Sequence, residues 1–203
     1  MIFNNLINFS ENNLWIAIAY IFLNLLSWLV IPHLEFKYKI LSRLLKGQND
    51  RAADFVAYFM IYIGTIRNYY MDEAIKNNII FDLGAINYPC YLLGGILIAL
   101  GSVLVVASFY RLGLRGLYFG DHFGFFFKEK VTAFPYDRFE SPQYVGTCMI
   151  HVGIGLIYRS PTGFLLAILY MIKYSILNVF EGRKLKIFYP DNKETKSSEV
   201  KSQ

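Results

Sequence analysis

The chain has 203 residues, 55% of them hydrophobic and 18% aromatic, with a mean hydropathy of +0.36 and a formal net charge of +5. That much apolar surface cannot be hidden inside a water-soluble domain of this size, so composition points to a membrane protein. The basic residues are scattered between apolar runs and not gathered on one soluble face, which argues against a nucleic-acid binder.

In chain order, Met1–Asn13 lacks a basic leader, and Leu14–Ile31 ends at Pro32-His33 without a small-residue cleavage site. The first apolar run is therefore expected to stay in the protein. Leu14–Ile31 is free of charge for 18 residues and Leu83–Tyr110 for 28, against the roughly 20 apolar residues that cross a hydrocarbon core. Phe55–Ile66 offers only 12 residues between Asp54 and Arg67, so it spans with snorkelling flanks or lies re-entrant or interfacial. Val145–Tyr158 and Thr162–Phe180 are split by Arg159-Ser160-Pro161, and the second holds Lys173. They read as two tilted helices, or as one span plus a shorter embedded piece. The sequence predicts an all-α, polytopic membrane helical bundle of about four to five embedded helices over residues 1–190. The tail DNKETKSSEVKSQ, residues 191–203, is predicted to be disordered. Cys90 and Cys148 have no metal or redox spacing and read as buried fillers.

Basic residues follow the first run (Lys37, Lys39, Arg43, Lys46, Arg51), recur at Arg111, Arg115, Lys128, Lys130 and Arg138, and follow the last run at Arg183, Lys184 and Lys186. If every run spans, these three places share the cytoplasmic face. Net positive charge also suits an anionic lipid surface.

Between Arg111 and Tyr144 the chain is densely polar. Gly113, Gly116, Gly120 and Gly124 fall at spacings of three and four, which would align them on one face of a helix. Asp121-His122 lies beside them, and an ionisable pair at a membrane boundary is expensive unless it is paired or used. Phe134-Pro135 and Pro142 favour a bend, and Tyr144 and Gly146 follow. Glu181 ends the last apolar run, with Lys173 about two helical turns earlier on the same face. Lys173 could snorkel, neutralise a carboxylate or meet a phosphate. Arg159 could hold a lipid phosphate or serve as a solvated turn charge.

The stretches GLRGLYFGDHFG, VTAFPYDRFESPQYVG, SPTGFLLAILYMIKY and FEGRKLKIFY, taken in that order from about Tyr91 to Tyr189, resemble the phosphatidylethanolamine N-methyltransferase family of integral-membrane enzymes. The resemblance implies methyl transfer from S-adenosyl-L-methionine to the ethanolamine amine of phosphatidylethanolamine and its mono- and dimethyl derivatives. It also implies a multi-pass place in the endoplasmic reticulum or a mitochondrial membrane. Family members usually carry Gly-x-Gly in the third apolar run and Glu-Glu after the last, both tied to the donor. Here these are Ala99-Leu100-Gly101 and Glu181-Gly182, each half kept. The resemblance thus assigns donor binding to Ala99, Leu100, Gly101, Glu181 and Gly182, with Pro142, Tyr144 and Gly146 shaping the pocket. His122 stands where the family often has Tyr.

The chemistry needs two molecules oriented together, a base for the ammonium proton, and aromatic faces for moving positive charge. Asp121 and His122 are the candidate bases, and Tyr118, Phe119, Phe123 and Tyr144 the candidate rings. Tyr118, Arg159 and Lys173 are the candidates on the lipid side, and no metal is required. Isoprenylcysteine carboxyl methyltransferases share P-x-Y-x-G but carry Arg-His before the proline, where this chain has Glu140-Ser141. A membrane sterol reductase and a non-catalytic membrane scaffold are the other readings.

Overall fold

The structure, a computed structural model, describes residues 6–127, 129 and 131–188, with 182–188 as backbone alone. The tail predicted at 191–203 lies outside the described residues. Among the described residues six helices follow in order: α1 (Asn12–Tyr38), α2 (Ile40–Leu44), α3 (Asn49–Lys76), α4 (Asn87–Leu117), α5 (Pro142–Tyr158) and α6 (Pro161–Phe188). Two 3-10 turns, Gly84–Ile86 and Gly120–Phe123, precede and follow α4. No strand occurs among the described residues.

The helix ends have local causes. The Glu11 carboxylate caps α1 by accepting the Leu14 amide at 2.8 Å. Pro142 opens α5 and Pro161 opens α6, both at positions where a missing N–H costs nothing. Arg159 takes a left-handed conformation, φ 50°, between α5 and α6. The final apolar pair is therefore two helices.

Asn12–Tyr38, Gly84–Phe123 and Pro161–Glu181 are long and apolar enough to cross a membrane. The doubtful Phe55–Ile66 lies inside the 28-residue α3, and α5 has 17 residues; both run beside these three. Along the outer side of α4, Leu92, Leu100, Val103 and Val106 are more than half exposed. That suits hydrocarbon, where an apolar side chain loses nothing by facing outward.

Glycines let α4 and α5 cross antiparallel at backbone contact. A Cβ on Gly153 would lie 2.7 Å from the Gly94 carbonyl oxygen, and one on Gly146 would lie 2.5 Å from that of Gly101. Without a hydrophobic drive between helices in lipid, such close approach supplies the van der Waals contact that associates them. The main core joins Leu14, Ala17 and Ile21 of α1 to Met71 and Ile75 of α3 and to Leu166, Tyr170 and Leu177 of α6.

Polar groups at depth pair with one another. Asn24 Oδ1 accepts Arg67 Nη1 at 3.1 Å and also the Lys173 ammonium. Lys173 Nζ lies 4.6 Å and 4.8 Å from the ring centres of Tyr174 and Tyr170, and Arg67 lies 4.5 Å from that of Tyr170. His151 stacks on Tyr170 at 4.3 Å. At one end of the bundle α1 turns into α2 around the buried Glu35 carboxylate, which accepts the Leu41 amide at 2.9 Å and the Ser42 amide and hydroxyl. Asp50 and Asp54 of α3 lie at this same end, bonded to Arg115 near the close of α4.

Candidate active site

The polar passage breaks into short pieces and does not continue as one helix. Gly113, at φ 63° and ψ −177°, interrupts α4. Phe119 and Gly124 bracket the 3-10 turn in left-handed conformations. The four glycines therefore do not line one helical face, as their spacing suggested. Gly116 packs against the Phe127 ring, and a Cβ on Gly120 would lie 2.7 Å from the Arg115 carbonyl oxygen. The local cause is Gly113, whose positive φ favours glycine and redirects the chain.

A cavity of about 370 Å³ opens at this end of the bundle. Trp28, Leu29 and His33 of α1 form one wall; Phe119, Asp121 and His122 of the turn form another. Glu129, Tyr136 and Glu140 come from the following loop, and Leu177, Phe180 and Glu181 from α6. Its size lies within the roughly 300–1,000 Å³ typical of small-molecule sites.

Two arrangements in the cavity carry chemistry. His122 Nδ1 lies 2.8 Å from Asp121 Oδ1, and the His122 amide donates to the same oxygen at 3.0 Å. The His122 ring is buried edge-on to Phe119, with centres 5.6 Å apart. On the facing side the Tyr144 hydroxyl donates to a Glu181 carboxylate oxygen. Tyr144 is itself fixed by stacking on Tyr174, ring centres 4.1 Å apart, and by an edge contact with Trp28 at 5.9 Å. In the loop, burial pushes the Tyr136 phenol above its ordinary pKa.

Among the described residues, the charged side chains that line the cavity are acidic. Asp121, Glu129, Glu140 and Glu181 line the cavity, and no Lys or Arg does so among the described residues. Carboxylates with aromatic surfaces favour a cationic ligand. No group of three or more His, Cys, Asp or Glu side chains is arranged to hold a metal among the described residues.

Asp121, His122 and Glu181 thus meet in one cavity, with Tyr144 buried directly behind Glu181. Pro142 opens α5 between the lining residues Ser141 and Gln143. Gly101 and Gly146 lie together in the α4–α5 crossing, outside the lining. Ala99 and Leu100 are exposed on the outer side of α4, and Gly182 continues the α6 backbone. Tyr118 packs on Trp28 with ring centres 5.8 Å apart.

The two basic candidates for a lipid phosphate lie elsewhere. Lys173 is 2% exposed and is held by Asn24 beneath Trp28. Arg159 follows the far end of α5, about 25 Å along the axis from Pro142 by helical rise, and donates to the Phe81 carbonyl at 2.8 Å and to the Tyr91 hydroxyl.

Sequence reasoning missed the α1 wall. Trp28 and His33 sit in and just after an ordinary apolar run, and only the Pro32-His33 step marks the place. Glu129 and Glu140 also line the cavity, and no motif in the sequence marked them as site residues.

The phospholipid methyltransferase family profile matches residues 89–192. A phosphatidyl-N-methylethanolamine N-methyltransferase of Schizosaccharomyces pombe is 33% identical over 93% of this chain and 97% of its own length. One of the same name from Neurospora crassa is 32% identical over 88% and 83%. The human phosphatidylethanolamine N-methyltransferase is 31% identical over 81% and 82%. No solved structure matches the chain. With the profile covering just over half of the sequence and these relatives spanning most of it, the chain belongs to the phospholipid methyltransferase family.

Proposed function

We propose that this protein transfers methyl groups from S-adenosyl-L-methionine to the amine of phosphatidylethanolamine and its mono- and dimethyl derivatives, leading to phosphatidylcholine. The observation that carries the reading is the acidic, aromatic cavity at the end of an apolar helical bundle. Such a cavity suits a sulfonium and an amine, and a lipid can reach it from the bilayer. Its relatives' names supply the substrate class.

When bound, the donor supplies a methyl carried on a positively charged sulfur. Glu181, oriented by Tyr144, provides negative charge for that cation. Trp28 and Phe119 offer ring faces worth about 0.5–2 kcal/mol each toward a desolvated cation. In the tautomer with the proton on Nδ1 facing Asp121, His122 Nε2 would carry the lone pair that takes the ammonium proton before attack. Holding amine and methyl in line supplies roughly 7–11 kcal/mol of the barrier. Gly101, Gly146 and Pro142 act through the α4–α5 crossing, which sets where α5 delivers Tyr144. The endoplasmic reticulum, or a mitochondrial membrane, is the proposed location.

The test is expression in a membrane lacking phosphatidylcholine, following labelled methyl from the donor into each of the three lipids. Label is expected in at least one of them. Label in none, with folded protein present, would leave the scaffold reading.

A further inference from the structure

The Asp121-His122 turn is fastened to α3, a helix whose residues lie outside the matched 89–192 segment. Arg115, in the last turn of α4 beyond the Gly113 break, donates Nε to Asp54 Oδ1 at 2.7 Å and Nη2 to Asp54 Oδ2 at 2.9 Å. Its Nη1 donates to Asp50 Oδ1 at 3.1 Å. A forked pair of this kind fixes direction as well as distance, because the guanidinium plane must align with the carboxylate. Asp50 and Asp54 are four residues apart, so α3 presents both on one face.

The same arginine holds the turn that follows it. Its guanidinium lies 4.6 Å from the centre of the Phe125 ring, which lines the cavity. Gly120 rests against the Arg115 carbonyl, and the Phe125 amide closes onto the Gly120 carbonyl at 2.9 Å. On either side of Asp121-His122, Phe119 and Phe123 are buried against Ala52, Ala53, Val56 and Met60 of α3. The opening turns of α3 thus carry both the carboxylates that grip Arg115 and the apolar bed under the turn.

We propose that Asp54 and Asp50, acting through Arg115, are positioning residues that hold the Asp121-His122 turn at the reacting amine. The proposal rests on the reading of that pair as the proton-accepting group. Hydrophobic burial alone would keep the turn near α3, but it is tolerant of small slides. The forked ion pair removes that freedom, and a misplacement of about 1 Å at a reacting group costs on the order of a hundredfold in rate.

The experiment uses the full chain in lipid nanodiscs with Asp54→Asn, Arg115→Lys, the double variant and Asp50→Asn. Steady-state rates on phosphatidylethanolamine are read together with amide exchange over residues 117–127. Asp54→Asn and Arg115→Lys are expected to lower kcat by roughly tenfold to a hundredfold, leave the donor KM within about twofold, and speed exchange over that segment. The double variant should be no worse than either single one, since both remove the same fork, and Asp50→Asn should be milder. Folded protein with faster exchange but unchanged kcat would overturn the proposal, as would unchanged exchange. Asp121→Asn and His122→Asn in parallel separate the two readings. If both keep full activity, the base assignment fails, and a kcat loss in Asp54→Asn could then no longer be credited to positioning that pair.

Discussion

Glu181, proposed to carry the donor-side charge, lines the cavity and accepts the Tyr144 hydroxyl. Glu181→Gln keeps the shape and removes the charge. With charge-assisted bonds worth about 1.5–3 kcal/mol, donor binding by calorimetry is expected to weaken roughly tenfold to a hundredfold; unchanged binding would remove Glu181 from the site. Gly146 offers a second test, because its added methyl would meet the Gly101 carbonyl at 2.5 Å with backbone on both sides. Gly146→Ala is expected to cost about 1–3 kcal/mol through overpacking, read as a lowered thermal midpoint in detergent. Asp121, His122 and Glu181 were legible in the sequence as charges that a membrane boundary must explain. The contact of Gly101 was not, because its approach to the Gly146 carbonyl depends on a distant part of the chain.

Among the elements, α3 was the least legible. Its apolar stretch of 12 residues is too short to declare a span, and its opening carboxylates resemble ordinary solvated charges. Their meaning depends on Arg115, more than sixty residues away. The Arg115 hydrogen bond, opposed by desolvation and aided by the Arg115 charge, holds the Asp54 carboxyl below its ordinary 3.8. A carboxyl depressed in the folded state contributes stability that is full above the unfolded value and is lost as pH falls through the folded one. The clamp's contribution should therefore be full above about pH 4 and decline progressively as pH falls further, through the lower folded value. Amide exchange over residues 117–127 measures this: wild type should loosen below that pH, while Asp54→Asn should already be loose at neutral pH. The α4–α5 crossing was half legible. Glycines were visible at helical spacings, but the sequence cannot say which of them meet another helix and which, like Gly113, end one.

For the whole molecule, hydropathy was sufficient to predict a helical membrane bundle, because a bilayer permits few alternatives. The number of crossings was not settled by it, since α3 and α5 lean on neighbours and not on their own apolar length. The α1–α2 elbow and the polar passage, separated in sequence, come together at the cavity end with Lys37, Lys39, Arg43, Arg51, Arg111 and Arg138. The opposite end carries Lys76 and Arg159. By the excess of basic residues the cavity end should face the cytoplasm. Single cysteines replacing Arg43 and Asn78, introduced after Cys90 and Cys148 are changed to Ala, should react with an impermeant thiol reagent from opposite sides of sealed vesicles. Reaction of both from one side would overturn this arrangement.

A cavity confined to one end of the bundle makes the proposed reaction belong to a single leaflet. Each turnover there would exchange an ammonium head that donates hydrogen bonds for a bulkier one that donates fewer, and finally none, without adding or removing a lipid. The number of molecules in that leaflet would stay constant while their preferred packing changed, so repeated turnover would bias the curvature of one face of the membrane. Relief of that bias would require lipids to cross between leaflets by a route outside this reaction.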